Sequence, residues 1–463
     1  MASGTAMANI TVIGASYGWS PTLLTDLMSV FDEPLEIRML DLLQEPARLC
    51  SEWGEAASRR RGRKDRFLPF TDRAEALRGA DAVLITISTG GLAAMRHDIE
   101  IPDRFGIYST VGDTAGPGGW SRALRNIPVF RRFAEDFSRL CPTAIVANYT
   151  NPLSALTAVL CRECPNPVVG LCHAYFEIKD VIASVFGLPD WGPIGIEIAG
   201  MNHFTWVTDF RIGREPGYPL LRGKIGSGSL GDVIPKSSRD EIGYHSGHRH
   251  CVELYDHTRY LPYPADRHTT EFVSFALAGN PERRTVRDPD GSEWEIVGPF
   301  ATRRTSVDYR LAQVADRASA IVSATADIAA GRIEPPPRSR ETGAEMIAAY
   351  LANRPFCDAV NTMNVGQIPG LPAGACVETL GVVDGLGVRP LTVRSVPEHL
   401  LELMRPQAVN QAWLVEGALT GRDDLVMQAL ANDPLCRALR PADVRAMGRQ
   451  LIDANRAFAL TGN

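Results

Sequence analysis

The first apolar run of the chain, Ile10 to Ile13 in NITVIGASYGW, is short, mostly β-branched and followed at once by a glycine. A continuous run of that length reads as a parallel strand buried on both faces, and Gly14 supplies the turn that ends it. Leu23, Leu24 and Leu27 then recur at helical spacing, which predicts strand, tight turn and helix. The alternation returns at LEIRMLD, ending on Asp41, and again at ADAVLITIS, TAIVANYTNP and NPVVGLCH, with helical stretches between. Strands alternating with helices predict an α/β protein with a Rossmann-type doubly wound sheet to about Gly187. The domain reading is a dinucleotide-binding unit over residues 9–190 and a mixed α+β half over 191–463. In that second half IGIEIAGMNHFTWV reads as a further buried strand, and the Gly- and Ser-rich residues 225–243 and the stretch 283–292 read as loops. Residues 309–331 predict a long helix ended by Gly331 and the prolines at 335–337, and 361–385 predict strands returning to the sheet. Amphipathic stripes between Glu398 and Phe458 predict helices that serve the core or a subunit interface.

Composition narrows the function classes. A chain of 463 residues with 45% hydrophobic content can bury a large core. Its formal charge of -6 and pI near 5.9 argue against a partner found through a basic field, so neither nucleic acid nor an anionic membrane is expected. The one basic run, Arg59 to Lys64, reads as a solvated helix end. No charged segment precedes an apolar one at the N-terminus, and no apolar run reaches membrane-span length, so a cytoplasmic protein is expected. Nine cysteines, an odd count, then predict reduced thiols, and the Cys161/Cys164 pair reads as structural.

Several side chains carry candidate chemistry. Cys172 with His173 and Asn202 with His203 stand at the ends of two predicted strands, where a thiolate and an imidazole can hold a divalent transition metal. Their bland reading is a buried thiol and a satisfied core histidine. Gly14, Ala15 and Ser16 offer a pyrophosphate turn in which Ser16 replaces the second glycine of the usual fingerprint, and Asp41 is placed to bond an adenine ribose. Asp113 lies in a loop rich in glycine from Gly112 to Gly119, where a turn former is expected on bare chemistry. By the same standard Asn148 and Asn151 read as Asx turns before Pro152. His245, His248 and His250 suggest zinc by type but lack a paired acid.

The combination of GDTAGPGG with RALRNIPV, NYTNP, GLCH, AGMNHFTWV, YLPYPADRHTTEF and NVGQIPGLPAGACVE resembles glycoside hydrolase family 4, the NAD- and metal-dependent glycosidases. The resemblance runs from about residue 9 to 440 and is most similar to the α-galacturonidase branch, with α-galactosidases next. It implies a fold like that of lactate and malate dehydrogenases with a mixed C-terminal half, NAD as cofactor, Mn²⁺ as metal, a small glycoside as substrate and a homodimer or homotetramer. It implies a reaction outside the usual two-carboxylate scheme: oxidation at C3 by NAD, loss of the C2 proton, elimination at C1, water addition and re-reduction. The metal is then needed for the negative charge that develops on the ring oxygens.

By motif matching, Cys172 and His203 resemble the metal ligands, and Asp113 the carboxyl that protonates the departing oxygen. Tyr260 best matches the tyrosine base, with Tyr263 and Tyr255 also open. Asn148 resembles a cofactor contact and Asn151 a sugar contact. His173 stands where most of the family has asparagine, beside metal or substrate. Asn202 orients a sugar hydroxyl, Asn364 with Gly366 matches an element near the substrate, and Arg267 or His268 faces a uronic carboxylate. Asp41 would repel a 2′-phosphate, favouring NAD over NADP. Two other classes stay open: a simple NAD-dependent 2-hydroxy-acid dehydrogenase, which has no use for the Cys172 and His203 pair, and a non-catalytic NAD sensor, against which the many polar strand-end residues argue.

Overall fold

Six strands of the first half form one parallel array: β1 (Ala8–Ile13), β2 (Leu35–Leu40), β3 (Arg66–Phe70), β4 (Ala82–Ile85), β5 (Ile145–Asn148) and β6 (Val168–Gly170). Their order is β3-β2-β1-β4-β5-β6, so the chain reverses direction of travel between β1 and β4. Ligands of such sheets bind in the crevice at that switch point. β1, β4 and β5 are buried almost throughout, as continuous apolar runs require in a sheet covered by helices on both faces. The computed structural model describes residues 7–236, 245–277, 283–288, 291 and 293–459.

The second half extends the same sheet. It adds β7 (Ile194–Met201), β8 (Phe204–Ile212) and β9 (Glu215–Pro216), then the separate three-stranded sheet of β10 (Arg283–Arg287), β11 (Glu293–Val297) and β12 (Thr302–Arg303). β13 (Phe356–Met363), β14 (Cys376–Asp384) and β15 (Gly387–Pro390) follow. The path β6-β13-β14-β7-β8-β9 is antiparallel, and with β15 on β14 the sheet reaches 12 strands. β13 is joined to β6 through Asn361 and Gly170, so no gap in the sheet separates the two halves. Helices Glu398–Thr420, Asp423–Ala431 and Pro441–Ala459 cover one side together with the long helix Gly116–Leu140. The helix expected over 309–331 spans Val307–Ala329, capped by Ser306. No helix among the described residues is long and apolar enough to cross a membrane.

Two expected loops are corrected. Within 225–243, Ser229 and Asp232 form a capping box around a single helical turn, Leu230–Val233, and Leu230 is fully buried; residues 237–243 lie outside the described residues. The stretch 283–292 contains β10, whose partner β11 sets Arg287 opposite Glu293 and Arg283 opposite Val297, from where Arg283 reaches Glu295 diagonally as an ion pair. The turn residues between the two strands masked a hairpin whose pairing comes from the charge pattern across it.

Candidate active site

Gly14 leaves β1 at φ +100°, and a Cβ there would lie 2.3 Å from the Thr86 carbonyl oxygen at the end of β4. Only glycine lets the backbone pass that close, which opens the crevice at the switch point. Next to it the Ala15 N–H donates to Asp41 Oδ2 at 3.0 Å, and the Ser16 N–H donates to Ser20 Oγ at 3.0 Å, at the start of helix Ser20–Val30. Gly14, Ala15, Ser16 and Asp41 therefore form one cradle at the ends of β1 and β2. A dinucleotide fits its chemistry: a backbone with no side chain in the way, a helix N-terminus and an acid beyond β2. Asn148, the other expected cofactor contact, is bonded within its own corner. That side chain is fully buried, donates to Thr157 Oγ1 at 3.1 Å and accepts the Thr150 N–H at 2.9 Å, an Asx turn that shapes the NYTNP corner. Asn151 accepts the Leu153 N–H at 3.2 Å, and its carbonyl takes Arg122 Nε at 3.0 Å.

The second centre is a group of three buried donors, Asp113, His203 and His268, whose ligand atoms all lie within 4.8 Å of one another. His203 sits in the two-residue turn between β7 and β8 at φ +66°, a conformation that costs a side chain energy and aims the imidazole inward. The His203 and His268 rings stack with centroids 3.7 Å apart, and His268 Nδ1 is 3.9 Å from Asp113 Oδ1. Thr114 links the group, donating to Asp113 Oδ1 at 2.7 Å and meeting His203 Nδ1 at 2.8 Å. A hydroxyl has one proton; with that proton on Asp113 it accepts from Nδ1–H, which leaves the His203 Nε2 lone pair available to a cation. Burial pushes His203 down to about 4 and holds His268 well below the usual imidazole range, with its neighbours His203 and Arg267 adding to the effect. Both rings are thus neutral near pH 7, the state a metal requires. A carboxylate with two neutral imidazoles fits a divalent transition metal.

Around this group the expected residues separate. Tyr263 is fully buried and stacks on His203 at 5.8 Å and on His268 at 6.3 Å. Tyr260 instead meets Tyr218 at 5.4 Å and His399 at 5.9 Å, and Tyr255 is buried in a hydrophobic cluster with Tyr218 and Leu261. Cys172 packs against Tyr263 and Ala265, beside the donor group and outside it; burial and the Glu378 carboxylate push its thiol well up. Asn202 is fully buried with neither amide atom hydrogen-bonded among the described residues, an orphan beside His203 that calls for a ligand. His173 lies 3.2 Å from Glu341, and although burial pulls the imidazole down, Glu341 and Glu177 raise it above its usual range. Arg267 is buried, with Nη2 donating to Thr305 Oγ1 at 2.6 Å. Asn364 is spent on its own loop, donating to the Leu371 carbonyl at 3.0 Å and accepting from Gly366 and Ile368.

His245, His248 and His250 divide among three tasks. His245 faces Glu177 at 3.5 Å, His248 Nδ1 bonds the Pro264 carbonyl at 2.8 Å and His250 Nδ1 bonds Thr269 Oγ1 at 2.9 Å. Two residues of the site, Thr114 and Glu177, escaped the sequence reading, and a third, His268, was given another role there. His268 was expected to face substrate and stands among the metal-capable donors; Thr114 lay unnoticed beside Asp113; Glu177 follows His173 by four residues on helix Ala174–Phe186, a spacing that could have flagged it.

Comparison with known proteins follows the same outline. Residues 9–188 match the sequence model of the family 4 glycosyl hydrolases, and residues 198–436 match that of the family 4 glycosyl hydrolase C-terminal domain. The chain is 31% identical to an α-galacturonidase of Lachnoclostridium phytofermentans, over 96% of this chain and 95% of that one. Among solved structures, a Bacillus subtilis protein described as a glucosidase superposes with a TM-score of 0.80 at 27% identity, covering 96% of this chain and 99% of that one. A 6-phospho-α-glucosidase from gut microorganisms, solved in complex with NAD and Mn²⁺, shares the fold with a TM-score of 0.75 at 20% identity, covering 98% and 99%.

Proposed function

The chain belongs to the family 4 glycosyl hydrolases, and from that premise we propose that it hydrolyses α-linked galacturonides with NAD and a divalent metal, Mn²⁺ by preference. The observation that carries the chemistry is the buried donor group of Asp113, His203 and His268 with Tyr263 stacked on it. The substrate class rests on likeness to the α-galacturonidase over almost the whole chain. Family membership removes the simple dehydrogenase and the sensor from consideration.

Gly14, Ala15, Ser16 and Asp41 would hold the dinucleotide, and His203, His268 and Asp113, with Cys172 beside them, would hold the cation. When bound, the nicotinamide supplies a reversible hydride acceptor and the cation a Lewis acid for oxygens of the same sugar ring. The protein's own part is position and protons. Tyr263 Oη is the group placed to take a ring C–H proton, because its ring lies against the donor group whereas Tyr260 does not. Glu177 is held below the usual carboxylate range: burial opposes this, but His245, His173 and a hydrogen bond from Tyr263 outweigh it, so a charged carboxylate stands where it would accept the hydroxyl proton that Tyr263 must give up before Oη can act as a base. Asn202 would orient a sugar hydroxyl, and Arg267 would offer its charge to the uronic carboxylate.

Asp113 carries two assignments, cation ligand by its place in the donor group and proton donor by family resemblance. A carboxylate on a cation is ionised and cannot donate. Asp113→Asn separates the two: a pure proton donor is dispensable for a nitrophenol leaving group and needed for an alkyl one, whereas a ligand is needed for both.

The decisive assay presents nitrophenyl α-galacturonide, α-galactoside, α-glucoside and a 6-phosphoglucoside, each with and without NAD and Mn²⁺. Turnover of the galacturonide only with both additions, with solvent deuterium entering at C2, is expected, and the phosphorylated sugar is expected to be inert. Equal rates in the absence of nicotinamide and metal would sink the mechanism, and preference for the 6-phosphoglucoside would sink the substrate.

A further inference from the structure

The loop that carries Asp113 is gripped from a distant part of the chain. Glu271, fully buried, turns Oε1 toward two donors at once, the Val111 N–H at 2.8 Å and the Gly112 N–H at 2.8 Å. Two further bonds hold the same loop, from the Thr305 N–H to the Thr110 carbonyl at 2.7 Å and from Arg304 Nε to the Ser109 carbonyl at 3.0 Å. Thr110 Oγ1 also reaches the Arg267 carbonyl. Gly112 then turns at φ +67° and delivers Asp113 to the donor group. Glu271 follows His268 by three residues, so a single short stretch supplies one donor of the group and the clamp on the loop that supplies another.

Two backbone N–H groups bonded to one carboxylate oxygen fix the loop's direction as well as its depth, because both donors must point at the same atom. Without that oxygen, both donors are buried with no acceptor, and the loop relaxes to find one. The distance from Asp113 to the two imidazoles then becomes soft.

We propose that Glu271 is a positioning residue that locks Asp113 against His203 and His268 and thereby sets the affinity of the donor group for a divalent cation. This rests on the reading of that group as a cation site. Glu271 is not among the three donors of the group; it acts through the loop. Glutamine presents the same oxygen to the same two N–H groups, alanine presents none, and aspartate withdraws the oxygen by one methylene.

The test is titration of Mn²⁺ into the full-length protein, followed by calorimetry, for wild type, Glu271→Gln, Glu271→Asp and Glu271→Ala, with kcat and KM for nitrophenyl α-galacturonide alongside. Glu271→Gln is expected within about threefold of wild type, whereas Glu271→Asp and Glu271→Ala bind Mn²⁺ about 10- to 100-fold more weakly. Their kcat at sub-saturating Mn²⁺ falls in parallel while KM for the glycoside changes little. Should Glu271→Ala fail to fold, Glu271→Asp carries the same comparison. Variants that melt earlier yet bind Mn²⁺ as wild type does would overturn the inference, as would a Glu271→Gln as impaired as Glu271→Asp. A wild-type protein that binds no Mn²⁺ would overturn both this inference and the cation-site reading, whereas unaffected variants of a wild type that does bind overturn this inference alone.

Discussion

His203 shows how much one residue depends on its neighbours. Its left-handed backbone, the Thr114 hydroxyl on Nδ1 and the His268 ring 3.7 Å away together fix where Nε2 points, and burial keeps the ring neutral. Thr114→Val removes the hydroxyl with almost no change of volume, and an Mn²⁺ affinity reduced about 10- to 100-fold is expected in a metal titration. Another histidine reports on pH. Burial pushes His250 down to about 3, so below the ordinary value of 6.5 the unfolded chain takes up a proton that the folded one refuses. Its contribution to stability is complete above pH 6.5 and is lost as pH falls toward 3, at up to about 1.4 kcal/mol per pH unit. Asp266, which accepts the His250 and Cys251 N–H groups, runs the other way: burial lifts it to about 7, so its contribution is present at low pH and fades as pH rises through 7. Denaturant titrations of wild type and His250→Gln, taken as a difference, isolate the histidine; the variant's acid limb should be flatter between pH 6.5 and 4.

At the scale of elements, two close approaches set the site. The turn after β1 passes Thr86 so tightly that Gly14→Ala would place a methyl carbon 2.3 Å from a carbonyl oxygen, in a backbone region that alanine avoids. The backbone must shift, and the crevice at the switch point with it. Weaker binding of NAD, by tenfold or more in a fluorescence titration, and a lower melting temperature are expected. The second approach explains the glycine density of GDTAGPGG. A Cβ at Gly119 would lie 2.4 Å from the Thr114 carbonyl carbon, so the first turn of helix Gly116–Leu140 packs directly against the residue that bridges Asp113 and His203. Glycine there serves a helix-to-loop contact, which is why a reading of Asp113 as a mere turn former was the natural one from sequence.

Across the whole molecule, one continuous sheet carries both the Gly14 cradle at the end of β1 and the His203 turn at the end of β7, with β13 and β14 inserted between β6 and β7. A buried ion pair ties the helical side together: Arg125 bonds both carboxylate oxygens of Asp98, both side chains are fully buried, and Asn455 of the C-terminal helix donates to Ser121 at 3.0 Å. Removing one member of such a pair strands the other charge. Asp98→Ala is therefore expected to cost about 3–5 kcal/mol of unfolding free energy in denaturant titration, and Asp98→Asn less, because the amide still accepts one hydrogen bond.

What the sequence determined by itself is whatever depends on near neighbours. Apolar runs and glycine turns gave the parallel strands and the cradle of Gly14 to Ser16 with Asp41, since strand burial and turn conformation are written in adjacent residues; His203 stood out because it closes such a run, whereas Asp113 read by itself as a turn former and Cys172, expected as a ligand, lies beside the donor group. Tertiary structure alone decided the rest. It chose Tyr263 over Tyr260 to face the donors, moved His268 from substrate contact into the donor group, gave Asn148 and Asn364 to their own turns, and joined Glu271 to a loop more than 150 residues earlier in the chain. Which of several suitable side chains meets a distant partner is set by strand order and packing, and the spacing of residues along a chain carries no record of that distance.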